Sequence, residues 1–430
     1  MTAGGPRNGP GVVDVAALGE SMVTFLPTRP GRLADVPAFQ RAIGGAESNV
    51  VCTLAAAGHS ARWVSRAGAD GFGDHLVTAI GAYGVDVTAV RRDPERPTGI
   101  YFRTAGDRAT DAHEVAYYRA GSAASAMTVR NVDLRALRAT RVLHLSGITA
   151  ALSPGCLELL RELTAPRPGR PLVSFDVNHR PGLWRDAEGG RVLLELARGA
   201  DIVFVGADEA RAAWGLDGGP AVRRALPEPG TIVVKQGADG ATAWCRGTGR
   251  PDGPDGPDGP DGPDGPDGPG GPDRPDGPRD RDTSVGAGDP DDRERRVDAD
   301  GPRDRATPAD ACGTPVFVPA PRVDVVAHVG AGDAFAAGFL SATLRGLPVR
   351  DRLRHGHLMA AAALTVPGDL AAPPTRRPAT APHAAAAPRP SWTDRADRLA
   401  ALDDAAWERL RLGPGWTRTA QGAEEEGRTP

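Results

Sequence analysis

An aspartate directly behind a glycine turn, with an apolar run after it, can hold an anion and take a proton beside it. The stretch Val329-Gly330-Ala331-Gly332-Asp333-Ala334-Phe335-Ala336-Ala337-Gly338-Phe339-Leu340 has this form. Two glycines present successive backbone N–H groups at the start of a helix, where orphan donors and the helix dipole favour negative charge. Gly346 and Pro348 mark the end of that helix. Asp333 at its mouth would repel a bound phosphate unless it served the chemistry there. Phosphoryl transfer offers such a service: the carboxylate accepts the proton of an attacking hydroxyl while the N–H groups hold the transferred group. The pattern alone is equally satisfied by an N-capping aspartate on a core helix, because short glycine motifs are common.

The elements that must position this turn follow from the patterning of apolar residues. Short apolar runs at 12–18, 61–67, 142–145, 172–176, 202–205 and 231–235 read as buried strands. Between them lie helical stretches at 47–57, at 154–163, at 190–198, at 208–214 and in a segment closed by Gly84. That alternation is the signature of a parallel sheet with helices on its faces. It breaks at 98–104 and 114–119, two strands with no helix between them, which read as an antiparallel lid; lid strands are expected within 20–45 and 95–120. After Gly237-Ala238-Asp239-Gly240 comes a strand at 241–246, expected to pair with another at 314–319. A last helix at 351–365 precedes Pro367-Gly368-Asp369.

Composition narrows the classes. The 430 residues carry a formal net charge of −4, so there is no broad basic field and nucleic acid is not an expected partner. Cys52, Cys156, Cys245 and Cys312 are scattered without C-x-x-C spacing, which argues against a zinc site and a disulfide scaffold. Residues 1–10 lack the apolar core of a signal peptide, and no apolar run approaches a membrane span. A reduced cytoplasmic enzyme is the expectation. Residues 247–313 are rich in Pro, Asp and Gly, with almost nothing apolar to offset ordering entropy, and are expected to be disordered. Hanging from a hairpin tip, such an insertion costs little. It contains a second glycine turn, Ser284-Val285-Gly286-Ala287-Gly288-Asp289, but Pro290 and the charged residues after it cannot make a helix, so no function is assigned there. The tail from 370 to 430 is expected to be mostly disordered, with a possible short helix between 392 and 412.

These segments, in this order, resemble the ribokinase-like (phosphofructokinase-B type) carbohydrate kinases, and among them most closely the 2-keto-3-deoxygluconate kinases. The broad likeness rests on Gly44-Gly45-Ala46-Glu47-Ser48-Asn49, on the turn at 68–73 and on the Gly330 turn with its helix. The narrower one rests on Tyr117-Tyr118-Arg119-Ala120-Gly121-Ser122-Ala123, on Leu143-His144-Leu145-Ser146-Gly147-Ile148-Thr149 and on Asp176-Val177-Asn178-His179-Arg180. It spans 12–246 and 314–369. The resemblance implies an α/β three-layer sandwich with a mostly parallel central sheet and a small β-strand lid. It implies ATP with Mg²⁺, and phosphorylation of a primary hydroxyl. Asp333 then takes the place of the catalytic base, with Gly330, Ala331 and Gly332 as the anion hole. Gly45, Asn49, Tyr101, Tyr117, Arg119 and Asp369 match sugar-contacting positions. Asn178 and Arg180 match positions between the nucleotide phosphates and the sugar, and Lys235, Gly237 and Gly240 match the nucleotide loop.

The residue types agree with that placement. Arg119 could clamp a sugar carboxylate bidentately, or be an ordinary strand arginine; Tyr101 and Tyr117 could equally be core aromatics. Arg180 follows a buried strand at its carboxyl end, where open α/β sheets bind ligands. Lys235, the only lysine, could simply snorkel from a strand end, and Asp369 suits its Pro-Gly turn for local reasons. Some positions depart from the family pattern: Ala327 replaces a usual Asp, His328 a usual Thr or Pro, His357 an Asn beside the adenine, and Gly206 the Asn of an Asn-x-x-Glu motif. Glu209 of that motif is a candidate to hold Mg²⁺ through water. Three alternatives stand beside the sugar-acid kinase: a fructokinase or ribokinase acting on a neutral sugar, a sugar-binding homologue without activity, and a dehydrogenase. The last fails because no G-x-G-x-x-G follows the first strand. Exposed lid edges point to a homo-oligomer.

Overall fold

Side chains alternate across each strand of the main sheet, and each face has its own core. In the strand Val13–Leu18, Val15 and Ala17 join the cluster that includes residues of the helices Ala46–Ala56, Ala331–Leu344 and Val349–Leu364. Ala16 and Leu18 join the opposite cluster, with residues of Pro154–Thr164 and Glu188–Arg198. Phe204 divides in the same way from Val203 and Val205, and Val233 from Ile232 and Val234. The result is a helix–sheet–helix sandwich.

The computed structural model describes residues 11–104, 114–184, 188–245, 314–371 and 392–417, which all fall in one compact unit. Its sheet has eight strands in the order Val316–Val318, Ala241–Cys245, Thr231–Lys235, Ile202–Gly206, Leu172–Asp176, Thr140–Ser146, Val13–Leu18 and Ala61–Val64. The last six are parallel, so they need helices on both faces. Their carboxyl ends therefore meet on one rim: Asp176 is opposite Ser146, and Gly206 opposite Lys235. The first two strands turn antiparallel, with Ala241 opposite Val318, as the hairpin reading expects. The insertion between them, including the second glycine turn, lies outside the described residues.

A separate four-stranded sheet, ordered Phe39–Gly44, Met22–Pro27, Ile100–Arg103 and Val115–Tyr118, forms the lid. Tyr101 faces Tyr117 across its antiparallel pair, ring centroids 5.4 Å apart. On the strands' other phase, Phe102 stacks on Phe25 at 4.7 Å and meets Phe39 and Tyr118 edge-on.

Two expectations need correction. The apolar run 61–67 is two strands: Ala61–Val64 in the main sheet, and Arg66–Gly68 paired with Arg91–Asp93. Between them the Ser65 hydroxyl donates to the Gly19 carbonyl at 2.7 Å, where the chain leaves the sheet. The C-terminal stretch is more ordered than its composition suggests, with helices Trp392–Ala400 and Asp404–Glu408 and a strand Arg411–Leu412 paired with Arg322–Val323. Trp407 is 1% exposed, and its indole N–H donates to the Pro319 carbonyl at 2.8 Å. Buried Arg354 lies over that indole and donates to the Ala400 and Leu402 carbonyls and to Asp404. Residues 372–391 and 418–430 lie outside the described residues. Among the described residues no helix is long and apolar enough to cross a membrane.

Candidate active site

Gly330 adopts φ 76°, and a Cβ there would stand 2.1 Å from the Asp369 carbonyl oxygen, so both conformation and space require glycine. The turn opens the fourteen-residue helix Ala331–Leu344, whose residues 334–342 are buried. This supplies a rigid mount with its N-terminus at the rim. Asp333, in the first turn and partly exposed, accepts a hydrogen bond from Asn49 Nδ2 at 2.8 Å. Gly45 caps the helix that carries Asn49 and lies against the backbone of Glu20 and Ser21. Burial raises the Asp333 pKa to about 7, with help from the charges of Asp176 and Asp369; the Asn49 hydrogen bond and Lys235 act in the opposite sense. A carboxylate poised there is suited to general base work at neutral pH.

Lys235 does not snorkel outward. Its Nζ pairs with Asp176 at 3.0 Å and lies 3.5 Å from where a Cβ on Gly332 would be, beneath the glycine turn. Burial opposes its charge, but Asp176 and Glu209 outweigh that and raise its pKa. Asn178 is buried, holds the left-handed φ of 41°, and its Oδ1 has no hydrogen-bond partner among the described residues. A non-glycine residue kept in that region is strained, which is a feature of functional sites. Arg180, about half exposed, donates to Glu209 Oε1 at 3.1 Å, and Glu209 Oε2 accepts the Gly206 N–H at 2.9 Å. Gly237 and Gly240, both at positive φ, make the turn from Lys235 back into the sheet, closed by Gln236 N–H to the Gly240 carbonyl.

Both oxygens of Glu209 are thus engaged, and no group of three or more His, Cys, Asp or Glu among the described residues could hold a metal ion. The donor set does not form a protein cage for Mg²⁺, an ion that usually keeps several waters, and the contact expected of Glu209 is one through water. His357 is packed in the core: its Nε2 faces the Val318 carbonyl at 3.1 Å and its ring meets Phe335 edge-on. Burial lowers its pKa to about 4, so the neutral ring donates to that carbonyl.

On the lid side, Asp369 is no mere turn residue. Its carboxylate accepts Tyr101 Oη at 2.9 Å and Arg103 Nη2 at 3.0 Å, all three side chains being buried. Arg119 is an ion-pair partner of buried Glu20, whose other oxygen accepts Ser122 Oγ at 2.5 Å. The Arg119 guanidinium lies 5.9 Å from the centroid of the Tyr117 ring, itself 56% exposed. Close by, fully buried Glu47 accepts the hydroxyls of Ser146 and Thr149, and burial raises its pKa. Glu20, Glu47, Arg103 and Asp176 are functional candidates that sequence reasoning missed. The available signal was position: Glu20 and Asp176 end buried strands at or beside the rim, and Arg103 is two residues from Tyr101. Around this cleft, Glu47 Oε2, Asn49 Oδ1, Arg103 Nε, Arg119 Nε and Asn178 Oδ1 have no hydrogen-bond partner among the described residues. Buried polar atoms are rarely left so, and their concentration here marks a site built for a polar ligand.

The sequence profile described as pfkB family carbohydrate kinase matches residues 13–250 and 309–376. A 2-dehydro-3-deoxygluconokinase of Thermoproteus tenax is 32% identical over 240 residues, covering 55% of this chain and 73% of the relative. Another protein of that name, from Bacillus subtilis, is 28% identical over 370 residues, covering 85% and 93%. Among solved structures, a PfkB protein from a Polaromonas species is 29% identical with a TM-score of 0.61, covering 82% of this chain and 96% of the other.

Proposed function

Since the chain belongs to the pfkB family of carbohydrate kinases, we propose that it transfers the γ-phosphoryl group of ATP to a primary hydroxyl of a sugar acid. The preferred substrate is 2-keto-3-deoxygluconate, giving 2-keto-3-deoxy-6-phosphogluconate. One observation carries the reaction type: a carboxylate with its pKa raised to about 7 stands in the first turn behind a left-handed glycine, beside a half-buried lysine. The similarity to two proteins named 2-dehydro-3-deoxygluconokinase supports the choice of acid.

Asp333 takes the proton of the substrate hydroxyl as its oxygen bonds to the γ-phosphorus. The bond to ADP breaks on the opposite side, and the N–H groups of Gly330, Ala331 and Gly332, with Lys235, stabilise the charge on the transferred group. Asn178, Arg180, Gly237 and Gly240 bind the nucleotide. Gly45, Asn49, Tyr101, Tyr117 and Asp369 frame the sugar, and Arg119 takes its carboxylate. Mg²⁺ comes bound to the nucleotide phosphates, as this ion commonly does.

A coupled assay of ADP release across sugar acids and neutral sugars tests the reading. Turnover of keto-deoxygluconate is expected, and a silent panel would end it. The neutral-sugar reading gains from one feature: Glu20 already balances the charge of Arg119. Arg119→Ala separates the two. For a sugar-acid kinase it raises KM for the acid and spares fructose or ribose; equal effects on both defeat the assignment.

A further inference from the structure

We propose that Glu20 is a positioning residue for the sugar carboxylate, acting through Arg119; the inference rests on the sugar-acid reading above. A free arginine on a lid strand would sample many rotamers, and ordering it would cost binding energy. Here the guanidinium is fixed before any ligand arrives. Nη2 pairs with Glu20, and the group lies near the face of Tyr117. Glu20 is itself immobilised: it is 3% exposed, and its second oxygen is held by Ser122. Gly99 gives this arrangement its room, since a Cβ there would stand 2.9 Å from Glu20 Oε1 and 3.4 Å from Arg119 Cβ.

The pair is balanced in charge but not in hydrogen bonds. Arg119 Nε is buried without an acceptor among the described residues, although a guanidinium carries five N–H donors in a fixed fork. Glu20 can hold one side of that fork while the rest remains for a ligand carboxylate. Both Glu20 oxygens are already engaged, one by Arg119 and one by Ser122, so its effect on recognition must pass through Arg119. With the protein already neutralising Arg119, the acid is recognised by the direction of the remaining donors more than by net charge.

The test is a double-mutant cycle with ATP and keto-deoxygluconate, reading KM and kcat separately. Glu20→Gln keeps the shape and removes the charge. It is expected to raise KM for the acid about tenfold, with kcat and the KM for ATP within about twofold of wild type. In an Arg119→Ala background the same change should add nothing. Ser122→Ala, which loosens Glu20 without removing it, should raise KM for the acid about threefold and remains available if Glu20→Gln folds poorly. The proposal is overturned if Glu20→Gln leaves KM unchanged or lowers it, or if its cost persists without Arg119, as it would for a purely structural role. Wild-type enzyme that turns over only neutral sugars would overturn the sugar-acid reading along with it. Acid turnover with an unmoved Glu20→Gln KM would overturn this inference alone.

Discussion

The rim of the main sheet and the lid are built to different standards. Behind Asp333, Asp176 and Lys235 lie two cores, one on each face of an eight-stranded sheet, and these residues are bound to one another or to Asn49. The lid is a single layer of four strands, in which Tyr117 and Tyr118 are 56% and 65% exposed. On the proposed reaction, the groups that must meet a reacting atom within a fraction of an ångström stand on the over-determined part, and the groups that select the ligand on the part with one free face. Changes at the rim should therefore appear in kcat, and changes on the lid in KM for the sugar. The sharpest test is Asp333→Asn, which removes the base and keeps the volume. It should lower kcat about a thousandfold with KM for the sugar little altered. A loss confined to KM would break the comparison.

Lys235→Met comes next, with an expected loss of about a hundredfold in kcat, in the range for removing one group that stabilises transition-state charge. It also leaves Asp176 without its cation, so the Asp333 pKa should rise further. That shift is the readout that distinguishes an electrostatic role from a packing one. With Asp333 as the proposed base, its proton-bound form should be inactive in the wild type, and its pKa is raised to about 7. The rate of the chemical step should then fall tenfold per pH unit as pH drops below 7 and level off above it. Asn49→Ala removes a hydrogen bond that favours the charged carboxylate. It should move this limb to higher pH and cost several-fold in kcat at pH 7, with recovery at pH 9. Failure to recover there would mean that Asn49 does something other than tune the base.

What was legible in the sequence was local. The Gly330 turn, Asn49 within its glycine segment, and the strands Leu172–Asp176 and Thr231–Lys235 could all be read from a dozen contiguous residues. The missed partners depend on contacts that no local window contains. Ser122 meets Glu20 across 102 positions, and Arg103 meets Asp369 across 266. Gly147–Ala151 and Gly219–Ala225 are helices too short to show a period. The C-terminal helix Trp392–Ala400 reads as polar, and what secures the stretch after it is Trp407, buried against Pro319. A tail rich in Ala, Pro and Arg gives little warning of one indole that docks it.

The smallest expected effect asks most of the comparison, because Tyr117 is the most exposed of the residues assigned to the sugar. Its ring contacts Tyr101 on one side and the Arg119 guanidinium on the other, and nothing behind it resists removal. A cation–π contact at an exposed site contributes about 0.5–1 kcal/mol, so Tyr117→Ala should raise KM for the sugar acid about two- to fivefold and leave kcat and thermal stability unchanged. Tyr117→Phe keeps the ring, which makes both contacts, and should behave as wild type. If Tyr117→Ala lowered kcat instead, the lid would be contributing to the chemical step, and the division between a rigid rim for reaction and a lid for recognition would have to be given up.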